Sequence, residues 1–262
     1  MQAIILAAGR GSRLTPVLKG RPKCLAPVGE INLIEYQLAA LRSFGITDVC
    51  VVLGYCGNQV RQAIGDRCHY VVNRRYAKTN SLYSLWLTRN WVQDDFILMN
   101  SDVLAHPQVY QRLLETPGNA LAYDSSSGTE AEQMKVAFRE NKLRRISKKL
   151  SVEKAHGEST GLLKFTASSI KSFFNAAETA LAIGGENQWA PAAIEQLARE
   201  MPIFGADIAD LPWVEIDFPE DWHHACERIW PKIRKAVVSS KLKHTVPSPA
   251  ALREILLESE VA

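Results

Sequence analysis

The sequence predicts an α/β protein whose sheet is mixed but mostly parallel, with helices flanking it. Three observations carry that expectation. The first half alternates short apolar, β-branched runs with segments of helical periodicity, the pattern of repeated βα units. The first such run, Ala3-Ile4-Ile5-Leu6, passes directly into the glycine-rich stretch Ala7-Ala8-Gly9-Arg10-Gly11-Ser12-Arg13-Leu14. Beyond residue 120 the apolar runs shorten and turn-like stretches such as Asp124-Ser125-Ser126-Ser127-Gly128 separate them, which predicts antiparallel additions to the sheet.

Each element follows from its local pattern. Residues 3–6 are continuously apolar and read as a buried parallel strand. Leu33, Ile34, Leu38 and Leu41 recur at helical spacing and predict a helix over 33–44. The β-branched run 48–53, ending at Gly54, is a second strand; 58–64 is a short helix and 70–72 a third strand. Leu82, Leu85 and Trp86 share a face and predict a helix over 81–91, followed by a strand at 96–99 and a helix at 106–114. Strands at 120–123, 135–138, 143–146 and 161–165 precede helices at 168–182, 191–200 and 219–235. The polar segment 239–262 begins as a linker and carries a short helix at 250–258, which packs on the body or on a second subunit of a homodimer. The expected organisation is one domain over 1–238, with a sheet extension at about 120–166, and a C-terminal tail over 239–262.

Composition narrows the function classes. At 262 residues, with 47% hydrophobic and 23% charged side chains, the chain is an ordinary globular one. A net charge of +3 is too weak for a nucleic-acid binder. The first 30 residues, however, hold Arg10, Arg13, Lys19, Arg21 and Lys23 against Glu30 alone, which suits a small anionic ligand. Five scattered cysteines with no CxxC pair predict a reducing, cytoplasmic setting and no zinc. No apolar stretch nears the roughly 20 residues that cross a bilayer.

The glycine-rich stretch is the centre of the chemistry. Gly9 and Gly11 let the backbone approach phosphate oxygens closely, and Arg13 and Lys23 can neutralise charge on a departing pyrophosphate. No Gly-Lys-Ser/Thr closes a Walker loop, and Leu14 stands where a dinucleotide fingerprint has its third glycine. Leu53-Gly54 ends the second strand where such a fold needs an acid for ribose. Asp102, in Asn100-Ser101-Asp102 after a strand, is positioned either to hold Mg²⁺ or to cap the next helix. Asp217, just before Pro219, has the same two readings, and Glu215 is a weaker candidate on the same strand face. Asn80 and Ser81 either cap their helix or hydrogen-bond a base or ribose.

The run Leu6-Ala7-Ala8-Gly9-Arg10-Gly11-Ser12-Arg13-Leu14, followed by Pro22-Lys23, resembles the L-A-A-G-x-G-x-R-L…P-K signature of sugar-phosphate and small-phosphate nucleotidylyltransferases. Thr79-Asn80-Ser81-Leu82-Tyr83-Ser84-Leu85 is similar to a motif of their CTP-using, phosphocholine cytidylyltransferase-like and phosphonate branch. So are Met134-Lys135-Val136, Ile146-Ser147-Lys148-Lys149, Gly157-Glu158-Ser159-Thr160-Gly161 and Trp213-Val214-Glu215-Ile216-Asp217. The resemblance spans about residues 1–228. It implies a Rossmann-like domain of the nucleotide-diphospho-sugar transferase type, with Arg13 and Lys23 catalytic. It further implies that Leu6, Ala7, Ala8, Gly9, Arg10, Gly11, Ser12, Arg13, Lys23, Asn80, Ser81 and Ser101 bind the nucleotide. Asp102 and Asp217 then hold Mg²⁺, and Lys135, Lys149 and Glu158 face the acceptor, although edge-strand lysines are commonly just solvated.

The implied reaction is Mg²⁺-dependent transfer of CMP from CTP to a small phosphonate or phosphocholine-like phosphomonoester, with release of pyrophosphate. A phosphate or phosphonate dianion needs no general base, so positioning and charge neutralisation suffice. Tyr83, Tyr123, Trp189 and Trp213 are candidates for an aromatic cage around choline. Arg74, Arg75, Lys78 and Lys135 are candidates for an anionic acceptor. Two other readings stand beside it: a sugar-1-phosphate nucleotidylyltransferase and a catalytically inert nucleotide-binding regulatory module.

Overall fold

The computed structural model describes residues 1–127, 130 and 132–238. The tail over 239–262, with its expected helix, lies outside the described residues. The first strand, β1 (Gln2–Ala7), is buried along its whole length. Its side chains alternate between two cores: Ala3, Ile5 and Ala7 enter one, Ile4 and Leu6 the other. A strand covered on both faces has no polar side to show, hence its unbroken apolar run.

A 3-10 turn at Ser12–Leu14 leads into one helical turn, α1 (Thr15–Leu18). A second 3-10 turn at Lys23–Leu25 leads into the small hairpin β2 (Pro27–Val28) and β3 (Ile31–Asn32). Asn32 and Glu35 then form a capping box that starts α2 (Leu33–Ser43). Next come β4 (Asp48–Leu53), α3 (Gly57–Ile64), β5 (His69–Val72), α4 (Ser81–Trp86) and β6 (Phe96–Asn100). They are followed by β7 (Val103–Ala105), α5 (Pro107–Glu115), β8 (Asn119–Asp124), β9 (Lys135–Arg139), β10 (Lys142–Ser147) and β11 (Gly157–Phe165). The last elements are α6 (Ile170–Gly184), α7 (Pro191–Leu197), β12 (Ile203–Asp207), β13 (Trp213–Glu215), α8 (Pro219–His224) and α9 (Trp230–Val238).

Among the described residues nine strands form one sheet, in the order β5-β4-β1-β6-β11-β8-β12-β10-β9. From β5 to β6 every neighbour is parallel. β11 enters antiparallel between β6 and β8, while β12 runs parallel to β8. The expected mixed α/β sheet is therefore present, with its longest parallel block in the first half. Side chains of α2, α3 and α5 fill one core, and those of α6 and α7 fill the other. The carboxyl ends of β1 and β6 open side by side, the usual position for a ligand in such sheets.

Three local expectations are corrected. α4 stops at Trp86 and gives way to turns, where the Thr88 hydroxyl donates to the Leu85 carbonyl at 2.6 Å and competes with helix continuation. The single helix expected over 219–235 is interrupted by a π-turn at Ala225–Ile229, immediately before Pro231. A proline there has no N–H to donate and its ring crowds the carbonyl four residues back, which the wider turn relieves. β7, β12 and β13 were not expected as strands; each is short, and β12 carries Gly205 at its centre.

Candidate active site

The glycine-rich loop leaves the end of β1 with Gly11 at φ +61, where a Cβ would also stand 2.9 Å from the Lys23 Cβ. Glycine is needed twice there, for backbone conformation and for the approach of Lys23. Leu14, which broke the dinucleotide pattern, is fully buried, so that position serves the core and leaves the loop to close by Leu14 N–H donating to the Gly11 carbonyl at 3.0 Å.

Across from this loop stand three carboxylates. Asp102 sits in the turn between β6 and β7, and the buried Gln37 of α2 fixes that turn by donating to the carbonyls of Asn100 and Val103, each at 2.9 Å. β13 pairs antiparallel with β7, setting Glu215 opposite Val103, and Ile216 N–H donates to the Asp102 carbonyl at 3.0 Å. That pairing brings Asp217 to Asp102 from more than a hundred residues away. Ligand oxygens of Asp102, Glu215 and Asp217 all lie within 4.8 Å of one another.

Lys23 bridges the two halves. Its ammonium donates to Asp102 Oδ2 at 2.7 Å and also to Asp217 Oδ1. Burial alone would lower the Lys23 pKa, but the two aspartates more than reverse this and hold it above its ordinary value. Burial works against the Asp217 charge, yet Lys23, with help from Arg13 and Lys148, keeps its pKa below the usual carboxylate range. Arg13 approaches Asp217 Oδ2 at 3.7 Å and lies over the Phe218 ring at 5.1 Å from its centre. Glu215 is pushed up to about 8, first by burial and then by Asp102 and Asp217.

The donor set fits a hard divalent cation. All three groups are carboxylates, and Asp102 Oδ1 is buried without a hydrogen-bond partner. A buried carboxylate oxygen with nothing to accept is costly unless a cation satisfies it. Glu215, rated below the aspartates on sequence, belongs to the cluster on geometry.

A cavity of about 390 Å³ runs from this cluster along the strand ends. Of the residues expected to bind nucleotide, Leu6, Ala7, Ala8, Gly9, Gly11, Ser12, Arg13, Lys23, Asn80, Ser81 and Ser101 line it. Arg10 does not; its guanidinium lies 5.6 Å from the centre of the Tyr55 ring. Asn80 also caps α4, its side chain accepting from Ser81 N–H at 2.8 Å, so its two readings coexist. Asn73, whose side chain donates to Thr79 Oγ1 and Ser84 Oγ at 3.0 Å each, holds this wall together; all three line the cavity and sequence reasoning missed Asn73.

The structure does not bring the three expected acceptor residues to the cavity. Lys135 is 2% exposed and its ammonium donates to the carbonyls of Glu130 and Gln133. Glu158 is its cross-strand neighbour and accepts from the Ser127 hydroxyl at 2.6 Å, with burial raising its pKa. Lys149 lies in the turn after β10 and does not line the cavity, whereas Lys148 does. Of the aromatic candidates for an ammonium cage, only Trp189 lines the cavity; Trp213 donates instead to Asp124 at 2.8 Å. No histidine lines the cavity among the described residues, and no helix among them is long and apolar enough to cross a membrane.

Residues 3–170 match the model of the MobA-like NTP transferase domain. The chain belongs to that family. It is therefore a nucleotidyltransferase by family, and the resemblance of its opening motif is borne out. It is 26% identical over 248 residues to the CTP:phosphoglutamine cytidylyltransferase of Campylobacter jejuni, covering 84% of this chain and 97% of that protein. Shorter matches are to the CMP-5'-(3-aminopropyl)phosphonate synthase of Streptomyces rubellomurinus, 36% identical, and the choline-phosphate cytidylyltransferase of Streptococcus pneumoniae, 39% identical. These cover 45% and 37% of this chain, and only 19% and 43% of those proteins. In fold it is similar to the inositol-1-phosphate CTP transferase of T. maritima, with TM-score 0.74 at 23% identity over 91% of this chain and 98% of that one.

Proposed function

We propose that this nucleotidyltransferase moves CMP from CTP to a small phosphomonoester or phosphonate and releases pyrophosphate. The observation that carries the reading is the convergence of Arg13, Lys23, Asp102 and Asp217 where the glycine loop meets the cavity. Two cations and a carboxylate set that fits a hard metal meet at one place, as expulsion of a polyphosphate requires. The preference for CTP is supported by relatives named as cytidylyltransferases.

In this reading the base and ribose lie between the Leu6–Ala8 backbone and the wall carrying Asn80 and Ser81. The triphosphate runs over the backbone from Gly9 to Ser12. Arg13 and Lys23 draw the β- and γ-phosphates into line. Asp102 and Asp217, with Glu215 beside them, would hold Mg²⁺, which contributes neutralisation of triphosphate charge. An oxygen of the acceptor's phosphoryl or phosphonyl group attacks the α-phosphorus and forms a new P–O–P bond. The bond from that phosphorus to its bridging oxygen breaks, and the electron pair leaves with pyrophosphate. A dianionic acceptor has no proton to lose, which agrees with a cavity lined by no histidine among the described residues.

The test is a coupled pyrophosphate assay that crosses four nucleoside triphosphates with phosphocholine, phosphonates and sugar 1-phosphates. Release with CTP and a small phosphomonoester or phosphonate is the expected result. Release only with sugar 1-phosphates, or none with any acceptor, overturns it.

A further inference from the structure

Arg75, a sequence candidate for gripping an anionic acceptor, does not line the cavity. Its guanidinium meets Glu186 fork to fork: Nη1 donates to Oε1 at 2.6 Å and Nη2 lies 2.5 Å from Oε2. The Tyr83 ring lies alongside, its centre 5.5 Å from the guanidinium carbon. A lone exposed ion pair contributes little, but a bidentate pair built into a network fixes geometry.

This network joins two walls. The backbone of Arg75 belongs with Asn73 and Thr79, which line the cavity: its N–H donates to Asn73 Oδ1 at 2.9 Å and its carbonyl accepts from the Thr79 hydroxyl at 3.0 Å. Its side chain belongs to Glu186, in the segment between α6 and α7. That segment lies along the start of α4. Asn80 N–H donates to the Glu186 carbonyl at 2.9 Å, Leu82 N–H to the Gln188 carbonyl at 3.2 Å, and Ala190 N–H to Ser81 Oγ at 2.9 Å. Gly185, Asn187 and Trp189 are exposed, so burial does little to fix the stretch. Trp189 and Ala190 nevertheless line the cavity. The Trp189 ring centre lies 5.2 Å from the Lys148 ammonium, which in turn acts on the Asp217 charge. The segment thus runs from the residues around Asn80 toward the carboxylate cluster.

We infer that Arg75 is a positioning residue that, through Glu186, couples the wall carrying Asn80 and Ser81 to the 186–190 segment. A nucleotide seated against that wall then steadies the Trp189 side of the cavity before the acceptor arrives. A ligand that orders one of two tied segments makes the other less costly to order. Arg75 touches no reacting atom and acts only through that segment. This rests on the reading of the cavity as a nucleotide-plus-acceptor site.

Amide hydrogen exchange, read by mass spectrometry, tests the tie without turnover. Mg²⁺ and CTP together should slow exchange across 186–192 by about fivefold or more, the low end of ordinary coupling between sites. Arg75→Ala keeps the backbone contacts and removes the fork. It should speed exchange across 186–192 and abolish the protection, while still binding Mg²⁺ and CTP in calorimetry. Arg75→Glu combined with Glu186→Arg should restore the protection. In pyrophosphate release with the best acceptor of the panel, Arg75→Ala should raise the acceptor KM by about fivefold and leave the CTP KM unchanged. Absence of protection in the unaltered protein with CTP bound, unaltered protection in Arg75→Ala, or an equal rise in both KM values overturns the positioning role. Exchange that behaves as expected, with no pyrophosphate released from any acceptor, supports the tie and overturns CMP transfer. Failure of the unaltered protein to bind CTP overturns both.

Discussion

The Lys23 ammonium lies 2.7 Å from Asp102 Oδ2, across 79 residues of sequence, while the other oxygen of Asp102 is buried with no partner. One oxygen is thus held by Lys23 and the other is left to serve the cation of the proposed reaction. Asp102→Asn keeps the shape and removes the charge. It should lower the rate of pyrophosphate release by about 100-fold or more, as loss of a group that stabilises developing charge does. The fold should persist, read by circular dichroism and a melting curve. Near-normal release would remove Asp102 from the metal site.

Gly54 follows β4, and its Cα faces Ala8 of the loop. A Cβ there would stand 2.5 Å from the Ala8 carbonyl oxygen and 2.7 Å from the Tyr76 Cβ. The Ala8 oxygen already accepts from Tyr55 N–H at 3.1 Å, so it cannot retreat without losing that bond. Gly54→Ala should therefore cost about 1–3 kcal/mol in urea unfolding, as overpacking does. Because Ala8 and Tyr76 line the cavity, the same change should raise KM for the nucleotide. A stable protein with unaltered KM would show that the loop accommodates the methyl group.

Asn73 is 1% exposed and ties two cavity-lining side chains to the backbone beside them. Besides Thr79 and Ser84, its Oδ1 accepts from Arg75 N–H at 2.9 Å. Asn73→Ala strips hydrogen-bond partners from buried groups and should lose about 1–3 kcal/mol of stability. It should also raise nucleotide KM more than it lowers kcat, since Asn73 holds the wall and touches no reacting atom in the proposed reaction. A fall in kcat alone would contradict that role.

His106 starts α5 as an acceptor, its Nδ1 taking the Gln108 N–H at 3.2 Å, and burial lowers its pKa. The unfolded imidazole titrates at about 6.5. The unfolded chain therefore takes up a proton first as pH falls. The His106 contribution is fully present above that value and is lost progressively below it, toward the lower folded value. His106→Asn keeps an acceptor at a cap position that favours asparagine. Its melting temperature should fall less between pH 7 and pH 5 than that of the unaltered protein. Parallel curves would assign the acid sensitivity elsewhere.

Much of this was legible because it was local. The buried β1 run, the glycine loop, Arg13, Lys23 and the two aspartates each carry their chemistry in residue type and spacing. The acceptor wall was not, because a one-residue difference in the turn after β10 decides whether Lys148 or Lys149 faces the cavity, and no composition signal separates adjacent lysines. Lys135 read as a solvated or ligand-facing lysine, whereas its ammonium is buried on backbone carbonyls. β12 escaped notice because Gly205 interrupts its apolar run. That glycine is required by packing: a Cβ would stand 2.8 Å from the Tyr123 ring and 2.9 Å from Asn141 Oδ1. Glu215 was underrated because its place depends on the β13–β7 pairing, a contact between distant segments that periodicity does not register.

The same pairing sets a timetable. The glycine loop is made before β12, whereas Glu215 and Asp217 come after it, and the helical region beyond them packs back on residues 27–30. Trp222 Nε1 donates to the Pro27 carbonyl at 2.8 Å, and Trp230 Nε1 to Glu30 at 3.2 Å. During synthesis the loop that would bind the triphosphate in the proposed reaction thus precedes, by about 200 residues, the carboxylates that would act with it. The proposed site is assembled only when β13 has paired with β7.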